Sequence, residues 1–193
     1  MKTEVKFYPN RHIYTINGVI VPSVTQIVRD VLKQDLSHIP RYILANAARF
    51  GTSVHEGIEA FFNGDTWMPF DEREARCVFN YIKLKQDHEW YLRNAEQIVA
   101  YKNIFAGRYD QIVQKDDKLY LLDIKTNYKL DIEYLSWQLS LYELALGEDL
   151  DGLLCAWLQK NGKAELVDVP RVERSLLLEE VERVKENQSV KPF

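Results

Sequence analysis

Two apolar segments, each carrying one aspartate, constrain the fold of this chain more than any other feature of its sequence. Residues 104–113 contain Asp110, residues 118–126 contain Asp123, and a polar stretch at 115–118 joins them. Apolar runs joined by a short polar stretch predict a β-hairpin. With a loop of two or four residues, the numbers of paired residues sum to 233, and Asp110 lies opposite Asp123. A loop of three or five residues would place the two aspartates on opposite faces.

Two facing carboxylates on an apolar hairpin repel each other and call for a cation. Period-two alternation puts Lys125 on the same face as Asp123. A carboxylate pair with a neighbouring lysine suits a hard divalent metal, a phosphate group and an activated water molecule. The alternative is a pair of surface carboxylates, with Lys125 as a salt-bridge partner of Asp123. Because aspartate is depleted in strands and Asp123 lies in an apolar run, we favour the metal site.

Neighbouring residues extend this candidate site. The same register pairs Arg108 with Lys125, so Arg108 is either near a bound phosphate or a charge partner of the acids. Gly107 allows a close backbone approach or a bulge beside the site. Gln138 and Tyr142 lie one turn apart on the helix predicted after the hairpin. They form either a polar boundary stripe or a pair that reaches Lys125.

Candidates before the hairpin give weaker signals. A lone histidine such as His55 is more often structural than a metal ligand. Glu96 alone is typical of an exposed strand end. Ser23 and Gln26 have the spacing of a capping box. Ser23 and Thr25 are therefore most simply a helix cap, with phosphate contact as the alternative.

Hydrophobic periodicity predicts an α/β chain. Strands are predicted at residues 5–8, 12–15, 19–21, 96–101, 104–113, 118–126, 153–159 and 164–169. Helices are predicted to start at Ser23 and to cover 39–50, 52–62, 71–92, 132–146 and 172–187. At 193 residues we expect one domain, with a hairpin and helical region at 1–93 and an α/β core at 94–193.

Composition limits the classes of function. The net charge of −4 argues weakly against a general electrostatic coat for DNA, but it permits a basic groove. Without an apolar run of about 18 residues or the apolar stretch of a signal peptide, we expect no membrane span and a cytoplasmic location. Cys77 and Cys155 are expected to be free buried thiols. In addition, two cysteines cannot supply the four thiolates of an iron–sulfur cluster.

Taken together, these residues resemble the RecB-type branch of the PD-(D/E)XK nuclease superfamily. The motifs, in chain order, are His55, Glu96, Gly107-x-x-Asp110, Asp123-x-Lys125 and Gln138-x-x-x-Tyr142. A further run, from His12-x-Tyr14 to Val21-Pro22-Ser23-Val24-Thr25, is similar to small phage-type exonucleases and to exonucleases of the mitochondrial genome-maintenance type. A phage-encoded member would act in the host cytoplasm.

The resemblance implies a restriction-endonuclease-like core, in which helices flank a mixed central sheet. It also implies a Mg²⁺- or Mn²⁺-dependent DNA exonuclease that acts on single strands or ends in replication, recombination or repair. The metal would be held by His55, Asp110, Asp123 and the carbonyl of Ile124, with Glu96 as a further contributor. Lys125 would align or activate water, with support from Gln138 and Tyr142.

Five residues are candidates for contact with nucleic acid: Ser23, Thr25, Arg49, Arg108 and Thr126. The second acid is Asp123 rather than the commoner glutamate, and the cysteine cluster of some relatives is absent, so no iron–sulfur cluster is expected. Three alternatives stay open: a non-catalytic nucleic-acid-binding subunit on the same fold, a structure-specific endonuclease, and an interaction domain with salt-bridged acids. The sequence leaves the oligomeric state open and slightly favours a monomer.

Overall fold

Ten strands and five α-helices make up residues 3–190, the part of the chain that the computed structural model describes. The strands are β1 (Val5–Tyr8), β2 (Ile13–Ile16), β3 (Val19–Val21), β4 (Tyr91–Ala95), β5 (Ile98–Tyr101), β6 (Phe105–Arg108), β7 (Gln111–Lys115), β8 (Lys118–Lys125), β9 (Gly152–Leu158) and β10 (Ala164–Val169). The helices are α1 (Val24–Val31), α2 (Arg41–Asn63), α3 (Glu72–His88), α4 (Ile132–Leu146) and α5 (Arg174–Val190). No helix in these residues is long and apolar enough to cross a membrane.

A mixed five-stranded sheet, ordered β10-β9-β8-β7-β4, lies at the centre of the fold. Strands β8 and β9 are parallel, and the other pairs are antiparallel. Consecutive residues Leu121 and Leu122 on β8 are both fully buried and belong to different hydrophobic clusters. One cluster includes α1, α4 and α5, and the other includes α2 and α3. Helices therefore cover both faces of the sheet, which confirms the predicted fold class.

The predicted hairpin register is confirmed for β7 and β8. Gln111 pairs with Leu122 and Lys115 with Lys118, so paired numbers sum to 233. The ladder stops at Gln111, however, and Asp110 lies just beyond it. Its Oδ2 accepts a hydrogen bond from the Ile124 N–H at 2.7 Å. The side chain of Asp110 thus takes over the contact with β8 that backbone pairing would otherwise make.

Residues 104–113 are predicted to form one strand, but in the structure they form two, β6 and β7. After β6, the chain bends at Tyr109 and Asp110, and the Asp110 carbonyl accepts a hydrogen bond from Glu96 N–H. Strand β6 therefore pairs with β5 in a separate two-stranded sheet. The predicted pairing of Arg108 with Lys125 is wrong, because Arg108 pairs with Ile98.

Two helix boundaries also differ from prediction. Helix α2 runs unbroken through Gly51, since a glycine weakens a helix without ending it. Helix α3 ends at His88, not at residue 92, and Glu89 takes a left-handed conformation with φ of 56°. The following residues form edge strand β4, which spans the predicted region boundary at 93/94. Trp90, fully buried, packs with the sheet cluster, so tertiary pairing outweighs the helical pattern.

A small sheet of strands β1, β2 and β3 precedes the helices. The chain then enters α1 through the predicted capping box. The Gln26 N–H donates to Ser23 Oγ, and the Ser23 N–H donates to Gln26 Oε1. Ser23 also bridges to Ala106 on β6, which ties the start of α1 to the two-stranded sheet.

Candidate active site

Three residues from distant parts of the sequence meet at one end of the central sheet. His55 comes from α2, Glu96 from the turn between β4 and β5, and Asp110 from the bend before β7. One nitrogen or oxygen atom from each lies within 4.8 Å of the others. His55 Nδ1 is 3.8 Å from both Glu96 Oε1 and Asp110 Oδ1. Imidazole and carboxylate groups at this separation are a suitable donor set for one divalent cation.

The peptide of Ile124 contributes a fourth polar group. Its N–H is held by Asp110, and its carbonyl oxygen lies 3.1 Å from His55 Nε2. That contact is a hydrogen bond, in which the imidazole N–H donates to the carbonyl. On loss of that proton, the nitrogen and the carbonyl oxygen are both donors that a divalent metal accepts. The residues present therefore fit a hard divalent metal.

Burial dominates the neighbouring pair of Asp123 and Lys125. Asp123 is 2% exposed, and its Oδ2 lies 2.6 Å from the Lys125 Nζ. Burial raises the pKa of Asp123, with Asp110 adding to the effect and Lys125 opposing it. Burial also disfavours the charge on Lys125, but Asp123 and Asp110 outweigh it and raise the pKa of the ammonium. Lys125 is therefore a cation across the physiological range.

Helix α4 supports the lysine from behind. Lys125 Nζ donates a hydrogen bond to Gln138 Oε1 at 3.1 Å. Tyr142 lies one helical turn after Gln138 and is buried, and burial raises the pKa of its hydroxyl well above its ordinary value. Gly107 packs against this ring, because a Cβ there would lie 2.6 Å from Tyr142 Cε1 and 3.0 Å from Val24 Cγ2. The predicted close approach at Gly107 is therefore present.

Electrostatics on the His55 side differ from those on the lysine side. Burial lowers the pKa of His55, but Asp110, Glu96 and Asp123 outweigh burial and raise it to about 9. In the metal-free site the imidazolium is thus the cation that the carboxylates surround. A divalent ion that binds there has to displace a proton from His55.

A cavity flanks the site on each side. One, of about 350 Å³, is lined by His55, Glu96 and Asp110 together with Glu59 and Arg93. The other, of about 400 Å³, is lined by Lys125 and by residues of α1, of the following loop and of α4 that the sequence pattern did not single out: Arg29, Gln34, Asp131 and Tyr134. These residues carry no motif signal, since only the packing of α1 on α4 brings them to Lys125.

The five nucleic-acid candidates occupy different environments. Arg108 is half-exposed, and its Nε lies 2.8 Å from Glu96 Oε2, beside the candidate metal ligands. Arg49 instead donates a hydrogen bond to the buried Glu74. Ser23 and Thr126 are both buried, and the Ser23 hydroxyl caps α1. Thr25 is partly buried in the first turn of α1.

Comparison with known proteins places this arrangement in a family. No curated protein matches the sequence. The crystal structure of SSO0001 is 15% identical, with a TM-score of 0.50 over 90% of this chain and 78% of that chain. An alkaline exonuclease (LHK-Exo) from Laribacter hongkongensis is 12% identical, with a TM-score of 0.53 over 88% of both chains. The family model of the PD-(D/E)XK nuclease superfamily matches residues 69–191. Since that match covers more than half of the 193 residues, the chain belongs to the PD-(D/E)XK nuclease superfamily.

Proposed function

We propose that this nuclease is a divalent-metal-dependent DNA exonuclease of the RecB type. One observation carries the proposal: His55, Asp110 and the Ile124 carbonyl converge beside the buried pair of Asp123 and Lys125. The likeness to an alkaline exonuclease supports exonuclease rather than endonuclease action.

His55, Glu96 and Asp110 would hold Mg²⁺ or Mn²⁺, with the Ile124 carbonyl beside them. Asp123, which the resemblance also implies as a ligand, is not part of that group and is paired with Lys125, so its contact with the ion belongs to the proposal. When bound, the ion supplies a Lewis acid that polarises the phosphate and lowers the pKa of water.

The role of Lys125 follows from its partners. Because Asp123 and Asp110 raise the pKa of its ammonium, Lys125 does not act as a general base. It donates hydrogen bonds to the attacking water or to a phosphate oxygen and stabilises negative charge there. Gln138 fixes the direction of the ammonium, and the buried Tyr142 packs one turn further along the same helix.

Single-stranded DNA or a DNA end is the substrate that we propose. The two cavities beside the site, of about 350 and 400 Å³, have the size of small-molecule sites rather than of a duplex-wide groove. A single strand can pass from one to the other across the metal ligands. Arg108 lies at the edge of this path and is placed to contact a phosphate. We propose that the protein acts on this substrate as a monomer in the cytoplasm, in replication, recombination or repair.

The proposal is tested with end-labelled single- and double-stranded DNA of both polarities and a closed single-stranded circle. Each is incubated with Mg²⁺, with Mn²⁺ or with a chelator. We expect linear single strands to be degraded from an end only when metal is present, and the closed circle to persist. Asp123→Asn, an isosteric change, should abolish hydrolysis, and a cooperative thermal unfolding transition would show that the variant is still folded.

Other outcomes give other functions. Cleavage of the closed circle would make the protein an endonuclease. Metal binding and DNA binding without hydrolysis of any substrate would favour a non-catalytic subunit. Hydrolysis that survives in the chelator or in Asp123→Asn would contradict the proposed site.

A further inference from the structure

The loop between β8 and α4 presents an aromatic ring to solvent a few residues after Lys125. Tyr128 is 96% exposed and lies three residues after Lys125. It has no hydrogen bond or ring contact within residues 3–190. Three extended residues span at most about 11 Å, so the Cα atoms of Tyr128 and Lys125 lie within that distance of each other. A tyrosine held in water at this position has no role in the packing of the fold.

The loop that carries Tyr128 is fixed at both ends. Trp157 on β9 donates its indole N–H to the Asn127 carbonyl at 2.8 Å. At the other end, the Asp131 carboxylate caps α4 by accepting the Tyr134 N–H at 3.0 Å. The exposed apex, Tyr128 and Lys129, therefore projects from anchored backbone. Anchoring lowers the entropy lost when a ligand packs on the apex.

Charge and shape around the loop match a nucleotide strand. Asn127 and Asp131 line the cavity of about 400 Å³ that also contains Lys125 and Arg29. Lys129, the residue after Tyr128, adds an exposed cation to the loop. Cations that follow a phosphate backbone and an aromatic ring for the bases are the combination that binds single-stranded nucleic acid.

We propose that Tyr128 is a base-stacking residue for an unpaired nucleotide next to the scissile phosphate. This inference rests on the proposed function, which places the substrate strand across Lys125. It adds to that function a reason for the preference for single strands. A base inside a duplex is stacked on its neighbours and cannot lie flat on this ring.

Equilibrium binding separates stacking from catalysis. Fluorescence anisotropy would follow a labelled oligothymidylate and a blunt duplex, in Ca²⁺, with the DNA checked by gel to be intact. Tyr128→Ala should weaken binding of the oligothymidylate about tenfold and leave duplex binding unchanged. Tyr128→Phe should bind like the wild type, because it keeps the ring. Phe79→Ala, at a 64% exposed position on α3 that lines neither cavity, is the matched control and should have no effect.

An oligonucleotide with abasic sites tests the mechanism itself. The wild type should bind it about as weakly as Tyr128→Ala binds the intact strand, and the substitution should have no further effect on it. Equal binding of the intact strand by wild type and Tyr128→Ala would overturn the proposal, as would a Tyr128→Ala effect that persists on abasic DNA. A wild type that binds through Tyr128 but does not hydrolyse DNA would refute the proposed function and leave the stacking site standing.

Discussion

The two halves of the active site differ in how their charges are satisfied. Around Lys125, residues close in sequence are buried, and the ammonium lies 2.6 Å from its carboxylate partner. Around His55, the histidine and two carboxylates come from three separate segments, are partly exposed and stand 3.8 Å apart. In this lysine half, formed by Asp123, Lys125 and Gln138, the charges are therefore paired within the chain itself. In the histidine half, the carboxylates are balanced by the His55 imidazolium and by Arg108, and a divalent cation would take the place of the His55 proton.

Removing the charge of Lys125 should impair hydrolysis, which depends on the lysine half, and leave Mn²⁺ binding by the histidine half intact. Lys125→Met keeps the length of the side chain and removes its charge. We expect kcat to fall about 1000-fold, as for the loss of a charge-stabilising donor, while Mn²⁺ still binds. Single-turnover hydrolysis and calorimetric titration on the same preparation measure both. Loss of Mn²⁺ binding in Lys125→Met would show that the two halves are not separable.

The converse change is His55→Gln. It removes the imidazole but keeps a polar side chain, so we expect Mn²⁺ affinity to fall about 100-fold. High Mn²⁺ concentration should recover much of kcat, because Lys125 and its partners are undisturbed. Calorimetry gives the affinity and a metal titration of the rate gives the recovery. Unchanged affinity would remove His55 from the ligand set.

A single methyl group tests how tightly the lysine half is packed. Gly107→Ala forces a Cβ to within 2.6 Å of the Tyr142 ring, and overpacking of this kind costs about 2 kcal/mol. We expect the free energy of unfolding to fall by that amount and kcat to fall as Gln138 is displaced.

Gly51→Ala is the matched control for this change. A Cβ at Gly51, inside α2, would meet only Thr126 Oγ1 at 3.7 Å. Because alanine favours helix over glycine, the control should gain up to about 1 kcal/mol in urea unfolding. A Gly107→Ala protein as stable and active as the wild type would show that the ring is not confined.

The pH dependence of Mn²⁺ affinity also distinguishes the histidine half from the lysine half, with the smallest change for each step of one pH unit. The pKa of His55 is raised to about 9, so below that pH a metal must displace its proton. We expect Mn²⁺ affinity to rise about tenfold per pH unit between pH 6 and 8 and to level off above 9. Calorimetry in buffers of different ionisation enthalpy counts the protons released. His55→Gln should release about one proton fewer, and an unchanged count would contradict the assignment.

Sequence reasoning predicted the lysine half well because that half is local. The register of β7 and β8 follows from a short polar loop, and it aligns the segment of Asp110 with that of Asp123. The helix that carries Gln138 and Tyr142 has the bounds that its periodicity predicts, Ile132–Leu146. Alternation, loop length and helical spacing are all properties of neighbouring residues.

The histidine half depends on packing that neighbouring residues do not encode. Only the first two residues of strand β4 fall in the helix predicted up to residue 92, and the pairing of β4 with β7 is what brings Glu96 to the site. The bend at Asp110 moved Arg108 away from Lys125 and beside Glu96. The bend at Asp110 and strand β4 depend on partners distant in sequence, and the strand or helix propensities of single residues contain no information about such partners. Family resemblance, rather than periodicity, was what raised His55 above a structural histidine.

The most direct measurement is the diffraction of crystals soaked in Mn²⁺, with data collected to locate the anomalous scatterer. Our proposal predicts Mn²⁺ within about 2.5 Å of one ring nitrogen of His55, the Ile124 carbonyl oxygen and carboxylate oxygens of Asp110 and Asp123. Lys125 should remain paired with Asp123 and in contact with Gln138. Manganese bound elsewhere, or a site that stays empty at Mn²⁺ concentrations that support hydrolysis, would contradict the claim that the histidine half is a metal site.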